Sequence, residues 1–235
     1  MESNVHRRPL HRDVTSKSVF RAAEALSKKC MNPDKPHKRC QYSRDTVLPT
    51  RVLDVGNMKS KVPNGSNPKV RLKVNTTITH APYLAPSYCR GEQPEPRAPV
   101  QPLLLRKDTL RDLMNEVKPE NLQKSIADAV FVTRELGFRN LWIDALCLIQ
   151  DCPIDKAKEI SRMTSIYKNA AITMAASSSE KAADGFLFKR VLPYLPECVF
   201  HMPGPGGESS MSVMYLSAEA REPEHPLDMR GWALQ

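Results

Sequence analysis

Asn140-Leu-Trp-Ile-Asp-Ala-Leu-Cys-Leu-Ile-Gln-Asp151 is the stretch on which the reading of the fold turns. It is a short apolar run carrying a carboxylate (Asp144), a thiol (Cys147), a carboxamide (Gln150) and a closing carboxylate (Asp151). Gly-Phe-Arg-Asn precedes it and Asp-Cys-Pro closes it, so the pattern predicts a buried strand over about Leu141–Leu146 and a loop leaving it. Asp144 is the anomaly. A carboxylate inside such a run has to be hydrogen-bonded, paired with a cation, or placed where the strand meets solvent, because bare burial is costly. On a strand it shares a face with Trp142 and Leu146, opposite Ile143.

Working outward, helical spacing of Leu122, Ile126, Ala129, Val130, Thr133 and Leu136 predicts a helix over Leu122–Leu136, with Asn121 as its N-cap and Gly137 as its stop. After the central run, Asp155–Asn169 reads as one amphipathic helix. Its apolar face is Ile160, Met163, Ile166 and Tyr167, its polar residues include Glu159 and Arg162, and Asp155 caps its positive end. Ala171–Ala176 reads as a small-residue buried strand running into Ser177, Ser178 and Ser179. Helix, strand, helix, strand at these lengths implies parallel strands joined by crossover helices.

Further upstream, Thr50–Val55 and Val70–Val74 alternate and are β-branched, with a turn-rich segment between them, so they form a hairpin. Asp108–Asn115 is a short helix, and the proline-rich Glu92–Pro102 is an exposed loop. Downstream, Val199–Met202 and Met211–Leu216 are strands around a Pro/Gly turn. The fold class is α/β: a mainly parallel central sheet with flanking helices and added antiparallel strands.

The chain has 235 residues, enough for one good-sized domain with an arm, and a formal charge of +9. Much of that charge lies before residue 47, in Arg7, Arg8, Arg12, Lys17, Arg21, Lys28 and Lys29 among others. Residues 1–46 are therefore expected to form a flexible basic arm with little fixed structure, although Ser18–Lys29 carries a narrow helical stripe; the domain proper occupies 47–235. Nucleic acid is not the favoured partner of this arm, since aromatics are not interleaved with its charges. No apolar run approaches the roughly 18 residues of a membrane span. The cysteines at 30, 40, 89, 147, 152 and 198 lack framework spacing and fit free thiols in a reducing compartment. Cys30, His37 and Cys40 make a weak zinc set, without a Cys-x-x-Cys pair, and no metal site is assigned.

In a parallel sheet, ligands collect at the carboxyl ends of the strands. Asp144, Gln150 and Asp151 reach that edge and are the catalytic candidates; Ser177 reaches the same edge if the two strands are parallel. Such a set suits a polar ligand, such as a ribose or an amide, and equally a structural network tying loops down. Trp142 is a ligand-binding candidate whose commoner role is core. Cys147 has no histidine near it in sequence, residues 81–200 holding none, so it is read as a buried thiol and not a nucleophile. Phosphate-cradling glycine loops, metal motifs and nucleophile elbows are missing from the sequence.

Leu141–Asp151 resembles the central motif of the fungal heterokaryon incompatibility (HET) domain. Glu159–Met163, Ile166–Ala170 and Gly185-Phe-Leu187 are similar to the segments that follow it in that family. Thr50–Gly56 and Tyr83-Leu-Ala-Pro-Ser-Tyr-Cys-Arg-Gly91 resemble its opening strand and first motif, and Arg230-Gly-Trp-Ala-Leu-Gln235 its third. Ser87 and Trp232 enter as ligand-binding candidates through those motifs. Two departures stand out: Arg90 replaces the usual tryptophan of the first motif, and the chain stops at Gln235, where the third motif usually continues into glutamate, as in a domain truncated at its C-terminal end. The resemblance implies a cytoplasmic module that triggers cell death after unlike fungal cells fuse. It also implies protein partners in non-self recognition, a second copy of the chain among them, and a fold similar to the Toll/interleukin-receptor (TIR) domain. Some TIR domains cleave NAD, so an NAD glycohydrolase, with NAD as substrate, is the alternative; no other cofactor is implied.

Overall fold

The computed structural model describes residues 13–32, 46–56, 68–91, 101–189, 199–204 and 207–215. Contacts group the chain into two units, Met1–Val19 with Leu187–Glu224 and Phe20–Phe186 with His225–Gln235. His37, Cys40 and Trp232, most of the Glu92–Pro102 loop and the whole third motif lie outside the described residues.

Helix α1, Lys17–Cys30, coincides with the narrow stripe. Little fixed structure is expected of this region, yet Phe20 is buried and its ring meets Phe131 edge-on, centroids 5.6 Å apart at 80°. The stripe count missed it because one aromatic anchors the helix, while Leu26 on the stripe stays exposed.

Strand β1 is Arg51–Asp54 and β2 is Arg71–Val74; they pair antiparallel with Leu53 opposite Leu72, as the hairpin reading requires. β3, Tyr83–Ser87, is a strand that periodicity did not reveal, because it reads Tyr-Leu-Ala-Pro-Ser and is buried throughout. Pro86 fits it for a specific reason. Tyr83 and Ser87 give their carbonyls to Ala171 and Ala176 on one side, and Leu84 gives its carbonyl to Trp142 on the other. Pro86 faces the Leu84 side, where the neighbouring ladder ends at Leu84, so its missing N–H breaks no bond.

Helix α2 is Leu110–Asn115, and a 3₁₀ turn follows at Pro119–Asn121. α3 runs Lys124–Glu135 with Gln123 at the N-cap position. Asn121 is thus not the cap: Leu122 after it is extended, so the helix starts later. Gly137 at φ 78° ends α3, its N–H bonding the Arg134 carbonyl and the Phe138 N–H bonding that of Thr133. That is the two-bond left-handed stop that only glycine enters without strain.

The central strand is shorter than its apolar run. β4 is Asn140–Leu141, and Asp144–Cys147 is a helical turn, α4. A short apolar run does not by itself distinguish strand from buried helix, and here it is both. The Ile143 carbonyl accepts the N–H groups of Leu146 (3.0 Å) and Cys147 (2.8 Å), closing the turn. Asp144 therefore shares no strand face with Trp142 and Leu146.

The predicted single helix over Asp155–Asn169 is two, α5 (Pro153–Ser161) and α6 (Met163–Asn169), joined at Arg162. With that break the buried side of α5 carries Glu159, 1% exposed, while Ile160 is 49% exposed, the reverse of the faces expected. β5, Ile172–Ala175, is half-buried at Ile172 and Met174 and exposed at Thr173 and Ala175. It is not the buried strand expected, because it takes the last place in the order β2-β1-β4-β3-β5. β4 and β5 both run parallel to β3, and β1 is antiparallel to β4. The sheet is thus mixed and open, with parallel strands at its centre. Val52, Leu53, Leu84, Leu141, Trp142 and Ile143 are sealed in its core. In the other unit β6 (Val199–Gly204) and β7 (Gly207–Tyr215) form the antiparallel pair expected there.

Candidate functional site

Because β3, β4 and β5 are parallel, their carboxyl ends share one edge, and the chain leaves that edge as Tyr88–Arg90 from β3 and as α4 from β4. Asp144 opens α4, where a carboxylate is favoured by the free N–H groups of the turn. Its Oδ1 accepts the Ala145 N–H at 2.7 Å and the Tyr88 hydroxyl at 3.0 Å. Its Oδ2 lies 2.8 Å from Arg90 Nη2. The side chains of Asp144 and Arg90 remain 23% and 30% exposed, so the pair faces solvent. Burial, reinforced by the neighbouring carboxylate, pushes the Tyr88 phenol well above its ordinary value and keeps it a proton donor. Burial pulls the Arg90 guanidinium down, but Asp144 outweighs it and the pKa is raised. The result is a carboxylate held in place by a hydroxyl, a backbone N–H and a guanidinium.

The other sequence candidates have different places. Gln150 donates from Nε2 to the carbonyls of Asp144 and Leu148, both at 3.1 Å, pinning the loop beneath Asp144. Asp151 accepts the Lys107 N–H at 3.0 Å and ties down the segment before α2. Both residues serve as loop anchors here. Ser87 is buried at the end of β3, and Ser177 is half-buried after β5. Ser179 donates its hydroxyl to the Gly185 carbonyl, closing the serine-rich turn. Trp142 is wholly buried, edge-on to Tyr167 with centroids 5.5 Å apart, and its Nε1 has no hydrogen-bond partner among the described residues. In this structure it is a core aromatic.

Behind the site stands a cation that periodicity hid. Arg51 of β1, 7% exposed, gives Nε to the Cys147 carbonyl at 2.6 Å and Nη2 to Asp155 Oδ2 at 2.5 Å. The same Asp155 oxygen accepts the Ile149 N–H at 2.9 Å. Asp155 thus works as a clamp on the motif loop, and its side chain does not cap α5. Among the described residues no cluster of three or more His, Cys, Asp or Glu is arranged to hold a metal ion.

A family model described as heterokaryon incompatibility protein (HET) matches residues 83–235. The chain belongs to this family. The match begins at the first residue of β3 and takes in Tyr88, Arg90 and Asp144, so that cluster is internal to the matched region; β1, with Arg51, and β2 precede it. No curated protein and no solved structure matches the chain. Membership links the domain to heterokaryon incompatibility and non-self recognition. No helix among the described residues is long and apolar enough to cross a membrane.

Of the residues that build the site, Arg90 stands out in the sequence as a departure from the first motif, whereas Tyr88 lies inside that motif without being singled out. The charge of Arg90, half-buried at the end of the first motif, needs a partner, and Asp144 supplies it.

Proposed function

We propose that this HET domain is a cytoplasmic allorecognition effector that triggers cell death when unlike fungal cells fuse, with Asp144 as its working carboxylate. The observation that carries this reading is the Tyr88–Asp144–Arg90 cluster. It sits within the family match, at the carboxyl ends of parallel strands, and keeps a half-exposed carboxylate at the edge where α/β sheets take ligands. Its protein partners are those of non-self recognition, a second copy of the domain among them.

Inducible expression in a fungal host tests it. The wild-type chain should arrest growth, and folded Asp144→Asn protein should not. A chain that leaves growth untouched, or a variant as toxic as wild type, would overturn the reading.

The parallel trio β4, β3 and β5 also supports a TIR-like fold and the second reading, an NAD glycohydrolase. Incubating purified protein with NAD and following nicotinamide release separates the two. Release abolished by Asp144→Asn makes the effector an enzyme, and no release leaves a binding module.

A further inference from the structure

A second site lies away from Asp144 and does not depend on its role. A cleft of about 260 Å³ is lined by the loops around Thr50 and Asn75 and by the junction of α5 with α6. One wall carries Glu159, whose side chain is 1% exposed and whose carboxylate accepts, among the described residues, one hydrogen bond, from Thr50 Oγ1 at 2.9 Å. Arg162 Nη1 is 3.9 Å from the same carboxylate, beyond hydrogen-bond range, and donates to Thr50 Oγ1 at 3.3 Å instead. A carboxylate has about four acceptor positions, and burial makes leaving them empty costly. Asn75, also lining the cleft, gives its amide N–H to the Pro49 carbonyl at 2.7 Å, while its buried Oδ1 has no partner among the described residues. Two independent groups mark this cleft as short of hydrogen-bond donors.

We propose that the cleft binds a small zwitterion, an α-amino acid with an apolar side chain. An anion alone is repelled by Glu159, and a cation alone meets Arg162. A molecule with an ammonium and a carboxylate one carbon apart satisfies both. Its ammonium bonds Glu159, its carboxylate bonds Arg162, and bonds of about 2.9 Å close a circuit across the existing 3.9 Å gap. At the rim Ile78 is 80% exposed and Val47 49% exposed, apolar surface for the ligand's side chain to cover. The volume falls below the roughly 300 Å³ at which drug-sized pockets begin, which suits an occupant of this size.

Calorimetric titration of the full chain with L-leucine, L-isoleucine, L-valine and L-methionine tests the assignment. At least one should bind and raise the melting temperature. Isopentylamine and N-acetyl-leucine, which lack the carboxylate and the ammonium of leucine, should each bind about tenfold more weakly or worse than the amino acid. Arg162→Met, at a half-exposed position that tolerates change, should fold normally and lose affinity by about tenfold or more, as should Glu159→Gln if it folds. Equal binding of isopentylamine and leucine, full affinity in Arg162→Met, or no heat and no thermal shift with any of the four amino acids would overturn the proposal.

Discussion

Arg51 Nη2 and Asp155 Oδ2 lie 2.5 Å apart although 104 positions separate them in the chain. This partly buried pair joins β1 to the start of α5 and, through the Cys147 carbonyl, holds the helical turn that begins with Asp144. Arg51→Met removes the cation and leaves the partly exposed carboxylate of Asp155 with the Ile149 N–H. Because Asp155 is partly solvent-exposed, the loss should fall short of a fully buried pair and cost about 1–3 kcal/mol. Urea denaturation should show a fall of that order, and Arg51→Lys, which keeps the charge but not the two-pronged geometry, should recover only part of it.

The same pair makes the protein sensitive to acid. Burial raises the pKa of Asp155, but the Arg51 and Ile149 hydrogen bonds and the Arg51 charge more than offset it, so the carboxyl lies below its ordinary 3.8. Asp54 behaves alike: burial is outweighed by Arg139, which grips both its oxygens at 2.9 and 2.7 Å, and by the Gly56 N–H. In the unfolded chain both titrate near 3.8, so as pH falls through that value the unfolded state takes up protons first. Their stabilisation is complete above about pH 5 and is lost progressively as pH falls through the lowered folded values. Melting temperatures between pH 3 and pH 7, roughly the span over which carboxylates titrate, should drop at the acid end. The drop should shrink in Arg51→Met, where Asp155 has lost its partner.

Cys147 is fully buried, burial pushes its thiol up to about 12, and its sulfur receives the Ile143 N–H at 3.4 Å. A thiol this far from ionising does not attack electrophiles at neutral pH. Site-resolved mass spectrometry after iodoacetamide treatment should find Cys147 unlabelled in native protein and labelled in urea. Cys147→Ala should cost about 1 kcal/mol through the small cavity it leaves. Rapid native labelling would contradict both statements.

Phe20 changes what truncation should do. Deleting residues 1–46 looks harmless from charge and poor periodicity alone, but it removes the buried ring that meets Phe131. Phe20→Ala in the full chain should cost about 3 kcal/mol. At about 2–4 °C per kcal/mol for a chain of this length, the melting temperature should fall by roughly 6–12 °C. A fall below about 2 °C would show that the helix contributes nothing to the stability of the sheet.

Where one periodicity ran through a whole element, the sequence was readable. β1, β2 and α3 declared themselves, and Gly137 marked the end of α3 by the one backbone conformation it alone enters easily. Misreadings came where tertiary structure overruled local pattern. Pro86 masked a strand because its missing N–H matters only if the neighbouring ladder extends that far. Apolar residues from Leu141 to Leu148 concealed a change from strand to turn, since burial on all sides erases both periods. Glu159 read as a surface residue because its hydrogen-bond donor, Thr50, is 109 positions away. At the site itself Asp144 was legible as an anomaly, whereas Tyr88 and Arg90 acquire meaning only when β3 is placed beside β4.

Asp144→Asn is the variant on which the functional reading is most exposed. Asparagine keeps the shape and can still accept from Tyr88, but it removes the charge that faces Arg90. Because both partners are partly solvent-exposed, water takes over much of that ion pair, and the stability cost should be about 1 kcal/mol or less. Arg90→Met tests the opposite side of the pair: it frees the carboxylate without altering it. If Asp144 works on a ligand, Asp144→Asn should fold, melt within about 4 °C of wild type, and lose growth arrest in the fungal host, while Arg90→Met should leave arrest intact or strengthen it. If Asp144 only anchors the Tyr88–Arg90 turn, both variants should lose stability in step and activity should follow stability. Melting curves and growth assays on these two proteins separate the cases, and a folded, fully toxic Asp144→Asn would remove this carboxylate from the mechanism altogether.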